Sequence, residues 1–196
     1  MRDMLKPSLS LFVICMLTAF CLAFVNAITK DTIKLRSEKD AEEQRKLVLE
    51  KADSFKELED WNSMDESGLI DRVFAAYSGQ NLVGYVMEAS PSGFGGEIAV
   101  TVGIGSDKKI SGVRVGENSE TPGLGTKTAD DSFTGQFVGK DLGVDFKVVK
   151  KPASSDDEIQ AISGATVSTN AVTRAVAACA RLGGKLLEEG YGGDGK

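Results

Sequence analysis

The residues of this chain best suited to chemistry stand together at Ser163–Thr166, in the order Ser-Gly-Ala-Thr, just before a helical pattern. A helix N-terminus presents unpaired N–H groups and the positive end of the helix dipole, and both attract phosphate. Gly164 and Ala165 are small enough to let an anion approach the backbone, and Thr166 adds a hydroxyl at the edge. The stretch is therefore a candidate phosphate site, although serine and threonine at a helix start also serve as simple caps.

The helix that follows is predicted from apolar residues that recur at three- and four-residue spacing. These residues are Ala171, Val172, Ala175, Val176, Cys179, Leu182 and Leu186.

Composition excludes several kinds of catalytic site. The chain has no histidine, so Ser-His-Asp and Cys-His nucleophilic sites and histidine-ligated haem are absent. Its three cysteines, Cys15, Cys21 and Cys179, show no CxxC spacing, which argues against a disulfide or an iron–sulfur cluster held by this chain alone. Any redox chemistry must therefore come from an organic cofactor. The net charge of −6, with no basic run interleaved with aromatics, argues against nucleic acid as a partner.

The stretch Ser163–Thr166, with Ile162 before it and Val167-Ser168 after it, resembles the flavinylation motif of the FMN-binding domain family. The resemblance implies that Thr166 carries FMN through a phosphoester made by a separate flavin transferase. It also implies that Ser163, Gly164 and Ala165 form the turn around the phosphate.

Two glycine-rich loops upstream support the resemblance. The loop Glu120-Thr121-Pro122-Gly123-Leu124-Gly125 resembles the one that the same family places beside its flavin, and Phe94-Gly95-Gly96 resembles the family's Gly-aromatic-Gly-Gly turn. Taken alone, each is also an ordinary surface turn, with Pro122 and Gly123 in favourable positions. The resemblance implies a set of residues beside the flavin: Glu120, Thr121, Gly123, Leu124, Gly125, Phe94 and Gly95.

Three motifs in this order behind one apolar N-terminal segment resemble the family of G subunits of Rnf ion-translocating electron-transport complexes. This resemblance implies an electron-relay subunit that works between ferredoxin and NAD, coupled to Na⁺ or H⁺ translocation and assembled with other membrane subunits. Two departures are Gln160, where the family motif often has Asp, and Asn118, where a histidine is expected. The alternatives are the C subunit of the sodium-translocating NADH:quinone reductase, and a tethered structural or ligand-binding domain without flavin.

Leu9 to Ile28 is an uncharged apolar run, long enough as a helix to cross a bilayer. A cleaved signal peptide is the alternative, since Val25-Asn26-Ala27 has a small residue at the expected place. Positive charges are more numerous after the run than before it, so the charge count does not favour an outside domain. The family resemblance nevertheless implies a single-pass inner-membrane protein with its soluble domain on the extracytoplasmic face.

The rest of the chain is predicted to be α+β, with an antiparallel sheet flanked by helices. Strands are predicted at Val73–Tyr77, Leu82–Ala89, Glu97–Ile104 and Ile110–Val115, and a last strand through Val144, Phe146 and Val148. Helices are predicted at Ala41–Leu58 and near Asp130–Phe137. The predicted divisions are a cytoplasmic tail (1–8), a transmembrane helix (9–28), a helical stalk (29–66), the FMN-binding domain (67–190) and a flexible tail (191–196).

Overall fold

The structure is a computed structural model that describes residues 2–191, and the side chains of all of these except residues 2–7 and 31–37. Met1 and the predicted tail beyond Tyr191 lie outside the described residues. The helices are α1 (Arg2–Val48), a 3-10 helix (Gly125–Ala129), α2 (Asp131–Thr134) and α3 (Thr166–Glu189). The strands are β1 (Ser54–Glu57), β2 (Ile70–Ser78), β3 (Asn81–Ala89), β4 (Ile98–Gly105), β5 (Ile110–Asn118), β6 (Lys147–Val149) and β7 (Glu158–Gln160).

Helix α1 contains the apolar run. Its segment Ser8–Lys30 has the length and composition to cross a membrane, and it is the one such helix within the described part of the chain. It includes the whole predicted span, Leu9 to Ile28. The chain divides into two compact units, Met1–Glu42 and Glu43–Lys196, and the second contains every strand.

Strands β1 to β5 form one antiparallel sheet in chain order, each paired with the next. The β2–β3 hairpin, in which Ser78 pairs with Asn81, is the one that the turn residues between two apolar runs predict. The sheet and the helices around it confirm the predicted α+β class.

One face of this sheet is covered by α3. The apolar stripe predicted from the sequence is buried there, and Ala175, Val176, Cys179 and Leu186 are fully covered. Each larger aliphatic side chain contributes roughly 1.5–3 kcal/mol by this burial. At Gly183 the helix comes so close to β4 that a Cβ would lie 2.3 Å from Cδ1 of Ile104. The helix that begins at the motif is thus fixed firmly against the sheet.

The predicted helix Ala41–Leu58 is wrong in its second half. Helix α1 ends at Val48, and Ser54–Glu57 is instead an edge strand paired with β2, in the register Ser54 to Tyr77. Three of the apolar residues that suggested a longer helix, Val48, Ala52 and Phe55, pack on the second face of the sheet with Phe74. Leu47 is exposed, and Leu58 packs against the core under α3. The physical reason is that strand β2 has backbone groups that need pairing partners at that edge.

The predicted last strand is also wrong in extent. Only Lys147–Val149 is extended and paired, and it pairs in parallel with β7, which the sequence did not indicate. Phe146 lies outside the strand and packs edge-to-face on Phe137, with the ring centres 5.6 Å apart.

Strand β7 leads directly into the Ser-Gly-Ala-Thr stretch. Its last residue is held by Gln136, whose side-chain Oε1 accepts the N–H of Gln160 at 2.7 Å.

Candidate functional site

Three segments far apart in sequence meet at the N-terminus of α3 and enclose a cleft of about 370 Å³. The segments are the turn at 93–96, the loop at 120–125 and the turn at 163–165. The cleft is lined by Phe94, Glu120, Thr121, Leu124, Gly125, Gly164, Ala165, Thr166, Val167 and Ser168.

The turn before α3 depends on a glycine. The N–H of Ala165 donates to the carbonyl of Ile162 at 3.0 Å, and Gly164 has a φ of +81° at the third position of this turn. A type II turn requires positive φ there, which glycine adopts without strain. A Cβ at Gly164 would lie 3.1 Å from Cδ2 of Leu124, so the small residue also keeps the cleft open.

Thr169, and not Thr166, ties the first turn of α3 to the segment before it. The Thr169 hydroxyl accepts the N–H of Ile162 at 3.2 Å and donates to the carbonyl of Ala165 at 2.9 Å. Ala165 occupies the N-cap position without a side-chain cap, and Thr166 is the first helical residue. The Thr166 side chain is exposed, and its hydroxyl bonds to none of the residues that the structure describes. This hydroxyl is therefore available for chemistry.

The start of α3 suits an anion. Helix geometry leaves the first N–H groups of a helix without carbonyl partners, and the dipole places partial positive charge there. Thr166, Val167 and Ser168, the first three residues of α3, all line the cleft. A phosphate esterified to Thr166 would lie beside these donors.

Glu120 connects the three segments. Its Oε1 accepts the N–H groups of Phe94 at 2.8 Å and Gly95 at 2.9 Å, and its Oε2 accepts the Ser168 hydroxyl at 2.5 Å. The residue is 5% exposed. One buried carboxylate thus holds the aromatic turn, its own loop and the first turn of α3 together.

The Glu120 carboxyl is ionised at neutral pH. Burial acts to raise its pKa, but the hydrogen bonds from Ser168, Gly95 and Phe94 together outweigh burial and bring the pKa below the ordinary value. Because these donors bind the charged form, the carboxylate is stabilised without a basic side chain.

Two glycines leave room for this carboxylate. A Cβ at Gly93 would lie 2.3 Å from Oε1 of Glu120, and a Cβ at Gly125 would lie 2.3 Å from Oε2. Both contacts are far shorter than any real carbon–oxygen contact, so a side chain at either position would displace the carboxylate. The glycines of the two loops thus serve the packing of Glu120 as well as the turns.

The rim of the cleft is apolar and open to solvent. Phe94 is 72% exposed, Val167 53% and Leu124 42%. Large exposed apolar side chains grouped at one cleft mark a binding site for an apolar ligand or partner. An apolar rim beside a helix start that suits an anion fits a cofactor with a flat aromatic ring and a phosphate, such as FMN.

Most of the residues predicted for the site come together here. Eight of them line the cleft: Phe94, Glu120, Thr121, Leu124, Gly125, Gly164, Ala165 and Thr166. The other three lie next to it. Gly95 donates to Glu120, Gly123 donates its N–H to Thr126 at 3.0 Å, and Ser163 is exposed in the turn. Val167 and Ser168 are the lining residues that the sequence did not single out as site residues.

Within the described part of the chain, no group of three acidic or cysteine side chains is placed to hold a metal ion. Cys179 is fully buried on the side of α3 that packs on the sheet, and burial raises the pKa of its thiol far above the ordinary value. The thiol is therefore neutral and unreactive.

Comparison with known proteins places this cleft in a family. Residues 93–181, which contain all three cleft segments, match the family described as FMN-binding domain. The G subunit of the Na(+)-translocating ferredoxin:NAD(+) oxidoreductase complex of Acetobacterium woodii is 36% identical over 181 residues, covering 87% of both chains. The chain belongs to this G-subunit family.

Other relatives agree with membership of the G-subunit family. The G subunit of the proton-translocating ferredoxin:NAD(+) oxidoreductase complex of Clostridium ljungdahlii is 31% identical and covers 85% of this chain and 84% of its own. The crystal structure of Shewanella oneidensis NqrC shares the fold, with a TM-score of 0.50 and 20% identity over 73% of this chain and 72% of that one. With one helix long and apolar enough to span a bilayer, this member of the G-subunit family is a membrane protein.

Proposed function

We propose that this chain is an electron-relay subunit of a membrane complex that transfers electrons between ferredoxin and NAD. The transfer is coupled to Na⁺ or H⁺ translocation, and FMN is held covalently through a phosphoester to Thr166. The observation that carries the proposal is the free, exposed hydroxyl of Thr166 at the start of α3, inside a cleft with an apolar rim. The full-length similarity to ferredoxin:NAD(+) oxidoreductase subunits supports the same function.

The attachment is a group transfer that a separate flavin transferase would catalyse. The Thr166 oxygen would form a new bond to the FMN phosphorus of a flavin nucleotide activated as a phosphoanhydride. The anhydride P–O bond would break, the second phosphate-bearing part would leave, and the hydroxyl proton would pass to a base of the transferase or to the leaving phosphate. The residues that line the cleft offer no free base for this step, because Glu120 is the one ionisable residue among them and its carboxylate already accepts three hydrogen bonds. This arrangement supports the proposal that a separate enzyme catalyses the attachment.

Bound FMN would supply one- and two-electron chemistry, which no side chain here provides. Phe94, Leu124 and Val167 would pack against its ring, and the first N–H groups of α3 would bind its phosphate. The covalent bond removes dissociation, which matters on a cell face without a pool of free FMN.

The proposed location is the inner membrane, with one transmembrane helix and the soluble domain on the extracytoplasmic face. The helix has the length and composition for a single span. The orientation is proposed from the family resemblance, against the positive charges after the span. The anchor would keep the cofactor at the bilayer surface, beside other subunits that donate and accept electrons.

The first experiment tests the attachment by intact-mass analysis of protein co-produced with a flavin transferase. Wild type and Thr166→Ser should gain the mass of one FMN, less water, and Thr166→Ala should gain none. Ser119→Ala, which removes an exposed hydroxyl from a residue outside the lining of the cleft, is the matched control and should load normally. An FMN adduct on Thr166→Ala would reject the assignment.

The second experiment tests the relay role. The flavin-loaded chain should be reduced by a strong artificial donor such as dithionite, but should not oxidise NADH by itself. Rapid NADH turnover by the isolated chain would make it a self-sufficient enzyme and would contradict the proposal.

Two alternatives make different predictions. The C subunit of the sodium-translocating NADH:quinone reductase would share the fold and the flavin, but the match to the Acetobacterium woodii G subunit spans nearly nine-tenths of both chains. A tethered domain without flavin would use Thr166 as a helix cap, whereas Ala165 is the N-cap residue of α3 and Thr166 is its first helical residue. Flavin fluorescence that survives denaturing electrophoresis would exclude this second alternative.

A further inference from the structure

The cleft contains an unbalanced charge. Of its ten lining residues, Glu120 is the one ionisable group, and it is an anion. No lysine or arginine side chain that the structure describes forms an ion pair with it; its partners are two backbone N–H groups and the Ser168 hydroxyl. At 5% exposure, water screens this charge poorly.

We propose that Glu120 is a positioning residue that also sets the reduction potential of the cofactor, because its buried carboxylate makes the cleft anionic. The inference rests on the proposed function, in which FMN occupies this cleft. Two-electron reduction of a flavin with uptake of one proton adds negative charge to the ring. A fixed anion in the same cleft opposes that charge and makes the cofactor a stronger reductant.

The surrounding structure keeps this charge in place. Gly93 and Gly125 leave the space that the carboxylate fills, and the donors Phe94, Gly95 and Ser168 fix its two oxygens there. The neutral donors hold it ionised at neutral pH while leaving its net charge uncompensated. A buried lysine or arginine partner would have anchored the loops equally well and cancelled the field. Because the donors to Glu120 are neutral, its negative charge still acts on the cofactor, whereas a charge paired with a lysine or arginine would serve only to hold the loops.

The first test measures midpoint potentials by spectroelectrochemical titration of the full-length, flavin-loaded chain. Glu120→Gln keeps the size of the side chain and an oxygen that accepts the two N–H bonds, but removes the charge. The variant should raise the equilibrium constant for two-electron reduction at least tenfold, which corresponds to a rise of about 30 mV in the midpoint potential. Glu117→Gln removes an exposed charge from β5 nearby and should change that constant less than twofold. Equal potentials for wild type and Glu120→Gln, with FMN on both by mass, would overturn the inference and leave the proposed function standing.

The second test needs no flavin. Thr166→Cys places a thiol in the cleft, and its rate of alkylation by neutral iodoacetamide at constant pH reports the thiolate fraction. Adding Glu120→Gln should raise that rate at least threefold, and adding Glu117→Gln should not. Leu124→Lys, at an exposed lining position, should also raise the rate, whereas Leu124→Gln should not, which would show that the thiol responds to charge in the cleft. An unchanged rate in Glu120→Gln, whatever Leu124→Lys shows, would overturn the inference even if Thr166 carries FMN in the wild type.

Discussion

Ser168 on α3 donates a 2.5 Å hydrogen bond to Glu120, which lies 48 residues earlier in the chain. This bond joins the first turn of the closing helix to the loop after β5. Through the other oxygen of Glu120 it also reaches the turn at Phe94. The site is thus assembled around one carboxylate, and its stability should depend on the ionisation of that group.

Ser168→Ala should lower the free energy of unfolding by about 2 kcal/mol at pH 7, because a hydrogen bond to a buried charge is lost. Folding lowers the pKa of Glu120 from its ordinary value of 4.5. The ionised carboxylate therefore stabilises the folded state fully above pH 4.5, and this stabilisation is lost as the pH falls through the pKa of the folded state. The difference between wild type and variant should therefore narrow below pH 4.5. Denaturant titrations from pH 3 to pH 8 measure it. The control is Ser163→Ala, which changes an exposed serine in the adjacent turn and should lower the free energy of unfolding by less than about 0.5 kcal/mol. If Ser168→Ala lowers the free energy of unfolding by the same amount at pH 3 as at pH 8, this account is contradicted.

Gly164→Ala should destabilise the domain by about 1–2 kcal/mol and reduce flavin loading. The residue has a φ of +81°, where an L side chain is strained, and the new methyl group would press on Leu124. Gly184→Ala is the matched control, since a Cβ there has no neighbour within 4 Å and the residue lies within α3. It should stabilise the domain by about 0.5–1 kcal/mol. Thermal melts give both values, and loading is read by intact mass. The same sign of change for both variants would show that the turn geometry is unimportant.

Leu124→Asp should lower the midpoint potential of the bound flavin. Leu124 lines the cleft, and a second carboxylate would oppose reduction in the same sense as Glu120. The measurement is a redox titration of the loaded protein, with Leu124→Asn as the neutral control of similar size and polarity. If both variants titrate like the wild type, the loop at 120–125 does not lie beside the ring.

Arg45→Ala should cost about 3 kcal/mol of unfolding free energy, because Arg45 is buried and its guanidinium forms a 2.5 Å ion pair with Glu88. The guanidinium also lies 4.2 Å from the centre of the Phe74 ring. Arg72→Ala is the control, because Arg72 contacts the same ring and Glu57 but its side chain is one-third exposed. Its loss should cost less than about 1 kcal/mol. Urea unfolding gives the free energy of unfolding of both variants. If Arg45→Ala lowers it no more than Arg72→Ala does, the end of α1 is not an integral part of the domain.

The sequence predicted the parts of the site that depend on local geometry. Gly164 in a turn, small residues before a helix and a hydroxyl at its start are short-range signals, and the structure brings them to one cleft. The role of Ser168 could not be predicted in this way. Its hydroxyl matters because Glu120, distant in sequence, is placed opposite it by the packing of α3 on the sheet.

The errors in the predicted elements have a similar cause. Strands β6 and β7 are three residues each, too short for a period-two pattern, and they are extended because they pair with each other. The end of α1 at Val48 is also set by tertiary contacts. Val48 and Leu49 are buried against the sheet, and the chain beyond them is needed to pair the edge of β2. An apolar periodicity records burial but does not distinguish a continuing helix from a strand.

The hydroxyl of Thr169, and not that of Thr166, holds the turn before α3 to the first turn of the helix. Because Thr166 takes no part in these bonds and is exposed, we expect the turn to form without the cofactor and to leave the Thr166 hydroxyl accessible. On the proposed function, the attaching enzyme meets a rigid substrate and pays no ordering cost to bind the turn. A cell could therefore keep a stock of stable, unloaded protein and convert it to the active form whenever flavin becomes available.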